Sequence, residues 1–262
     1  MLSKKELIDL YVVKKFTTYE ISEKCGVHRS TISNWLKKYE LQPRQRHTIL
    51  NETILTKIQK ELILGSILGD AHIELMKSGN LARFIESHSI KQKTYLNWKS
   101  EILHNISRPI KNYSCINKKT NKQYFFCNYY TNATKELLGW QKDFYNKKQK
   151  IVNKEIVKDI TPFSLAVWYM DDGSIDKISQ RAFICSDCFT LEEHKILQGV
   201  LKENFNLNSK IVKYKEYNRL HFTVVETRKL CEIIRPYVIK SMEYKLTNCC
   251  ESADNIQQFS QI

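Results

Sequence analysis

Apolar residues recur at helical spacing through residues 2–16, with Leu7, Ile8, Leu10 and Tyr11 on one side. A second, short helix is expected from Thr17-Thr18, which can cap it, through Lys24, with Glu20 in its first turn. Gly26 suits the tight turn that follows, and Ser30 or Thr31 starts a third helix running to about Tyr39. Ile21, Cys25, Val27, Ile32 and Trp35 fall where the last two helices would pack, the spacing of a helix-turn-helix. Residues 1–43 thus read as a small all-α unit. A stretch with no periodicity follows, carrying Pro43, Arg44, Arg46 and His47, and residues 44–54 read as a basic linker.

Beyond it the pattern changes. A helical run over 54–69 ends at Asp70, and strands follow at 71–76 and 81–89, joined by the turn residues Lys77-Ser-Gly-Asn80. A helix over 92–106, strands near 110–116 and 123–130, and a helix over 131–146 complete the set, and basic residues 147–158 bridge to the next segment. Thr161 can cap a new helix with Pro162 in its first position. After Gly173 the order returns: strands near 174–178 and 181–189, a helix over 191–205, strands at 209–214 and 219–225, and a helix over 226–237. Residues 55–146 and 162–237 each read α-β-β-α-β-β-α, an internal duplication of structure.

Each half opens on an apolar run that ends in acid. The first is Leu62-Ile-Leu-Gly-Ser-Ile-Leu-Gly-Asp-Ala-His72, and the second is Ser164-Leu-Ala-Val-Trp-Tyr-Met-Asp-Asp-Gly173. The helix dipole disfavours negative charge at a C-terminal end, so something must compensate it, and a divalent cation shared by the two ends is the natural candidate. Gly65 and Gly69 stand four apart on one helical face, which lets a neighbouring backbone approach. Val167 and Asp171 hold the corresponding places in the second run, so the expected helix contact is asymmetric.

Composition narrows the partner. The chain of 262 residues carries a net charge of +14 and has a pI near 9.3, which points to a polyanion, nucleic acid above all. No apolar window approaches the length of a membrane span, and the basic residues are scattered, so no membrane partner is expected. There are eight cysteines and the N-terminus is a charged amphipathic segment, so reduced thiols and an intracellular place are expected, in the cytoplasm of a prokaryote or phage host or in an organelle. Cys185-Ser-Asp-Cys188 has half the spacing of a zinc site without a matching second half, and residues 182–190 read instead as a strand in which both thiols pack.

Gly65-Ser-Ile-Leu-Gly-Asp-Ala71 and Leu165-Ala-Val-Trp-Tyr-Met-Asp-Asp-Gly173 resemble the two motifs of the monomeric, intron-encoded LAGLIDADG homing endonucleases. Ile160-Thr-Pro162 and the ending Pro236-Tyr-Val-Ile…Met242-Glu-Tyr-Lys-Leu246 are also similar to that branch, and the resemblance covers about residues 55–250. It implies an α+β fold, a pseudo-two-fold duplicated αββαββα saddle over 55–262, with halves of about 55–146 and 162–250, preceded by the helix-turn-helix domain. The motif helices would pack at the pseudo-axis, and the two sheets would straddle double-stranded DNA.

The same resemblance implies a site. Asp70 and Asp172 are the expected metal ligands for Mg²⁺, with Mn²⁺ as a substitute. Asp172 is preferred to Asp171 because it stands before Gly173 as Asp70 stands before Ala71. Two carboxylates suit Mg²⁺, which keeps much of its water and adds substrate phosphate oxygens. Lys245 matches one catalytic lysine of the family. Its partner should fall in Lys147-Lys-Gln-Lys150, where an ungapped alignment places Gln149 and leaves Lys148 or Lys150 to serve. In the helix-turn-helix, His28, Arg29, Ser30, Thr31, Ser33 and Asn34 are the candidates to meet the major groove. On the strands, Arg83, Tyr129, Arg181, Lys213, Lys215 and Arg219 are candidates to read bases. The expected function is site-specific double-strand DNA cleavage that promotes mobility of the enzyme's own element. The alternatives are an intron RNA maturase and a transcription regulator with an inactive nuclease domain. A self-splicing intein is not expected, since the chain shows no flanking splicing domain.

Overall fold

The computed structural model describes residues 2–14, 16, 18–41 and 54–246. The chain divides into two compact units, Met1–Thr48 and Ile49–Ile262. The expected linker over 44–54 lies outside the described residues except for Ile54.

In the first unit, α1 (Lys4–Ile8) opens with a capping box: Ser3 Oγ accepts from the Glu6 N–H, and the Glu6 carboxylate accepts from the Ser3 N–H. A π-helical turn, Asp9–Val13, continues it, so the helix expected over 2–16 is shorter and widens at its end. α2 (Thr18–Cys25) and α3 (Arg29–Lys38) follow, with Gly26 between them at a left-handed φ of 62°. α3 is capped by His28, whose Nδ1 accepts from the Ser30 N–H at 3.3 Å, and Ser30 and Thr31 lie in its first turn as expected. Leu7, Tyr11, Ile21, Ile32 and Leu36 form the core, and Cys25, Val27 and Trp35 pack against it as their spacing predicts.

The second unit runs one order of elements twice. The first half contains α4 (Lys57–Leu68), β1 (His72–Leu75), β2 (Ala82–Ser89), α5 (Lys93–Ile102), β3 (Lys111–Ile116), β4 (Gln123–Tyr130) and α6 (Lys135–Phe144). The second contains α8 (Pro162–Asp172), β7 (Gly173–Ile175), β8 (Ala182–Ile184), α9 (Leu191–Phe205), β9 (Lys210–Tyr214), β10 (Tyr217–His221) and α10 (Val224–Ile234). The basic stretch between them is more than a bridge. It holds a hairpin of β5 (Tyr145–Asn146) and β6 (Gln149–Lys150), then one helical turn, α7 (Lys154–Val157). The two antiparallel sheets have matching orders, β1-β2-β4-β3 and β7-β8-β10-β9. β8 ends at Ile184, so Cys185 and Cys188 lie in the loop beyond it, not in a strand.

Strand alternation sorts residues onto two faces. In the first sheet, Ile73, Phe84, Glu86, His88 and Tyr129 share the helix-covered face, and Arg83, Ser87, Asn128 and Tyr130 share the open one. In the second sheet Ile184 and Leu220 face inward, and Arg219 and Val212 outward.

The motif helices form the seam between the halves. The α4 cap is a second capping box, Thr56 with Gln59, and α8 starts from Thr161 with Pro162 in its first turn. Every residue from Leu62 to Leu68 in α4 and from Phe163 to Asp171 in α8 is buried, and most are apolar, which suits helix segments covered on every side. A Cβ on Gly65 would stand 2.4 Å from the Ser164 carbonyl oxygen and 2.8 Å from Val167 Cβ; one on Gly69 would stand 2.5 Å from Asp171 Cβ. The expected asymmetry is therefore a complementarity: each glycine of α4 receives the larger residue of α8.

Gly65→Ala should destabilise the unit by about 1–3 kcal/mol, because it overpacks against backbone that cannot rotate away. Gly199→Ala, in the middle of α9 with nothing within 4 Å of the added carbon, should be neutral or stabilising by up to about 1 kcal/mol. Urea unfolding of both variants checks this. Equal stability of Gly65→Ala and the parent chain would show that the seam is looser than described.

Candidate metal and nucleic-acid site

Asp70 follows the C-terminal end of α4, and Asp172 is the last residue of α8. Lysines mark the two positions as equivalent. Lys150 Nζ donates to the Gly69 carbonyl at 2.9 Å and to the Ala71 carbonyl at 3.0 Å. Lys245 Nζ donates to the Asp171 carbonyl at 2.7 Å. Gly69 and Asp171 each precede the acidic residue, so each half has one lysine clasping the backbone of its motif end. Lys148 is exposed in the β5–β6 turn and does not reach the motif, so Lys150 is the first-half counterpart of Lys245.

Asp70 and Asp172 differ in surroundings. The Asp70 side chain is 42% exposed, with its Oδ2 3.7 Å from His88 Nδ1. Asp172 is partly buried, and among the described residues its carboxylate has neither an ion pair nor a hydrogen bond. Burial, reinforced by Asp70 and Asp171 and opposed by Lys150 and Lys245, pushes its carboxyl up to about 8. Burial also pulls the Lys245 ammonium down, although the three aspartates oppose this.

Asp171 is otherwise engaged. It lies in the seam and accepts from Lys99 Nζ at 2.9 and 3.1 Å, from the Tyr95 hydroxyl at 2.7 Å and from the Asp70 N–H at 3.4 Å. Lys99 is fully buried and also donates to Glu86 at 2.6 Å and Ser66 Oγ at 2.9 Å. Burial opposes its charge, but Asp171 and Glu86 more than restore it. Burial would likewise raise Glu86, yet Lys99 and His88 hold it below the usual carboxylate range. None of Glu86, His88, Tyr95 or Lys99 was marked by the sequence reading. The signal was present: Glu86 and His88 take the inward alternation of β2, and Lys99 lies on the buried side of α5 with Tyr95 and Leu96.

A hard divalent cation fits this donor set. Asp172 is a carboxylate with no direct hydrogen bond or ion pair among the described residues, beside a second, exposed carboxylate, and both offer oxygen. Donor atoms of Asp70, His88 and Asp171 also lie within 4.8 Å of one another. That alternative set is less suited, because Lys99 and Tyr95 already satisfy Asp171, and Gln92 Oε1 stands 3.2 Å from His88 Nδ1, the ring nitrogen that faces Asp70.

The proposed base readers divide. Arg83 lies on the open face, over the Tyr130 ring and paired with Glu74 at 2.5 Å. Arg181 is exposed between β7 and β8, and Lys215 sits in the β9–β10 turn. Arg219 is on the open face, but its Nε and Nη2 are held by Asp187 at 2.7 and 2.8 Å. Tyr129 is fully buried on the helix-covered face, where no base can reach it. Lys213 pairs with Asn218 on the side of Leu220, opposite Arg219, so alternation turns it from the open face. In α3, Arg29, Ser30 and Asn34 are exposed and Thr31 and Ser33 half-buried; Arg29 Nε donates to Thr18 Oγ1 at 3.0 Å. His28 is exposed but spends its Nδ1 on the cap.

Residues 60–230 match the model of the LAGLIDADG DNA endonuclease family, and residues 4–44 match that of the homeodomain-like domain. Protein RecA of Mycobacterium shimoidei is 28% identical over 231 residues, 82% of this chain and 52% of that protein. Cytochrome b mRNA maturase bI2 of Saccharomyces cerevisiae is 29% identical over 213 residues, 76% of this chain and 48% of that protein. The chain thus spans about half the length of these relatives. The solved structure of the homing endonuclease I-WcaI bound to its DNA recognition sequence superposes with a TM-score of 0.71 at 26% identity, over 80% of this chain and 97% of that one. Among the described residues, no helix is long and apolar enough to cross a membrane.

The raised Asp172 carboxyl has a consequence for stability. A carboxyl raised on folding favours the fold fully below the usual aspartate range, and the benefit is lost as pH rises through about 8. In chelator, Asp172→Asn should therefore gain melting temperature over the parent chain between pH 5 and pH 9, by about 2–4 °C for each kcal/mol relieved. Saturating Mg²⁺ should reverse the order at pH 8, since only the parent retains both carboxylates. Thermal melts across this range check both signs, and a pH-independent difference would contradict the site's electrostatics.

Proposed function

We propose that the chain, which belongs to the LAGLIDADG DNA endonuclease family, is a site-specific double-strand DNA endonuclease that cuts a long recognition site and so promotes the mobility of its own element. The observation that carries this reading is the pair of equivalent, lysine-clasped motif ends, Asp70 with Lys150 and Asp172 with Lys245.

Asp70 and Asp172 would hold Mg²⁺, for which Mn²⁺ can substitute, between them. A bound divalent cation supplies charge relief at the phosphorus and lowers the pKa of a bound water. The chain's own residues do the rest. Lys150 and Lys245 keep the motif ends in place and add positive charge where the phosphates would lie. Lys245, its ammonium pulled down by burial, is suited to exchange a proton with solvent at Nζ. The open sheet faces offer Arg83, Ser87, Asn128 and Tyr130 on one side and Arg219 on the other to a major groove. Because one chain contains both halves, a monomer suffices. The helix-turn-helix would extend the footprint through Arg29, Ser30 and Asn34, with the net charge of +14 favouring DNA throughout. The likeness to a maturase supports RNA splicing as a second reading, which predicts splicing that survives loss of both acids.

Two measurements bear on this. Asp70→Asn and Asp172→Asn should each lower cleavage of a selected target by about 10²-fold or more while leaving DNA affinity within a fewfold. Full activity in either would remove the site assignment. Deleting residues 1–45 should weaken DNA binding and flatten its salt dependence while some cleavage remains. Unchanged affinity and specificity would deny the first unit a role in DNA binding.

A further inference from the structure

The buried charges beside Asp70 close into a ring. The Asp70 N–H donates to Asp171 Oδ2, Asp171 accepts from Lys99, Lys99 donates to Glu86, Glu86 accepts from His88 Nε2, and His88 Nδ1 faces Asp70 Oδ2. The ring starts and ends on one catalytic candidate. It is braced from outside: Gln92 Oε1 stands 3.2 Å from His88 Nδ1, Gln92 Nε2 donates to the Tyr244 hydroxyl at 3.1 Å, and the Tyr95 ring stands edge-on to His88. Glu86, His88, Tyr95 and Lys99 all come from the first half.

Among the described residues, the second half has no such ring. The pairings Ile73↔Phe84 and Ile175↔Ala182 make Phe84 and Ala182 equivalent, since Ile73 and Ile175 each follow their acid by three residues. Glu86 and His88 then correspond to Ile184 and Ser186. Ile184 is apolar, and Ser186 is buried and bonded to His194 Nε2 at 2.8 Å instead. Among the described residues, Asp172 thus has no imidazole facing it, no carboxylate behind that and no buried ammonium behind the carboxylate.

Resting on the endonuclease reading, we propose that His88, braced by Glu86 and Lys99, is a positioning residue for Asp70 alone, so that the two DNA strands are cut by unequal half-sites and His88 governs only one of the cuts. An imidazole backed by a carboxylate holds a fixed tautomer and ring angle, and the carboxylate it faces loses freedom. Asp172 gains no such restraint and depends on the cation to fix it. The proposal adds a specific cause of inequality to a pair of motif ends whose backbones are otherwise equivalent.

The test uses the full chain and a supercoiled plasmid carrying a site selected for cleavage by that chain from randomised duplex DNA. At Mg²⁺ concentrations that saturate His88→Ala, one strand should be cut at least about tenfold more slowly than the other, relative to the parent ratio, so that nicked circles accumulate. His88→Gln, which can still bond Glu86, should restore part of the ratio. Ser186→Ala, at the matching place in the other half, should leave the strand ratio as in the parent. Calorimetric titration of Mg²⁺ into the DNA complex should show about 10–100-fold weaker binding in His88→Ala. The strand ratio does not depend on how much of a variant is folded, so instability cannot mask the outcome. Equal slowing of both strands, or an unchanged ratio with unchanged Mg²⁺ affinity, would overturn the proposal. A parent chain that cuts no selected site would overturn the endonuclease reading instead.

Discussion

The ammonium of Lys99 joins the parts on which the rest of the second unit depends. It reaches from α5 to Ser66 on α4, Glu86 on β2 and Asp171 on α8, and it is fully buried. An unpaired charge so placed would be untenable, and removing one partner of a buried pair costs about 3–5 kcal/mol. The benefit is structural specificity. Gly69 leaves room for Asp171 in the seam, and Lys99 neutralises it there, which fixes α8 in register against α4. With Asp171 consumed in this way, Asp172 is left with neither a hydrogen bond nor an ion pair to its carboxylate among the described residues.

The motif ends combine two opposing requirements. Their helices must be apolar to be buried together, yet each must deliver an acid where its dipole disfavours one. The clasping lysines answer part of this by donating to the carbonyls at those ends, Gly69 and Ala71 in one half and Asp171 in the other. They do so without pairing directly with the carboxylates. Asp172 consequently stays poorly compensated, which supports the proposal of a cation there. The fold therefore sets up the site by withholding a partner as much as by supplying one.

Where the chain signals its structure locally, the sequence predicts it well. The helix over 191–205 is found at Leu191–Phe205, because Thr190 and Glu193 make a capping box and Asn206 ends it in a left-handed conformation. The strand over 123–130 is found as expected from its β-favouring residues. The pairing of the motif helices follows from a spacing that the backbone keeps, and the same spacing makes Asp172 the positional equivalent of Asp70. The misses have physical causes. The β5–β6 hairpin turns on Lys147-Lys148 with Lys147 at φ 57°, a place where glycine or asparagine would have marked a turn. The strand over 181–189 stops early because Ser186 leaves the sheet to bond His194. Tyr129 is buried and Lys213 takes the side of Leu220, and neither is legible in the sequence, because alternation gives two faces without saying which is covered. The buried ring was missed because its members are polar residues at inward positions, which only tertiary pairing makes tolerable.

The proposed cation lies between Asp70 and Asp172, with Asp171 held away from it by Lys99. Anomalous scattering from a crystal of the chain grown with its selected DNA and Mn²⁺ tests this placement most directly. The account predicts a peak bridged by the Asp70 and Asp172 carboxylates, with the Asp171–Lys99 contact intact. A peak held by Asp70, His88 and Asp171, with Lys99 displaced, would contradict it.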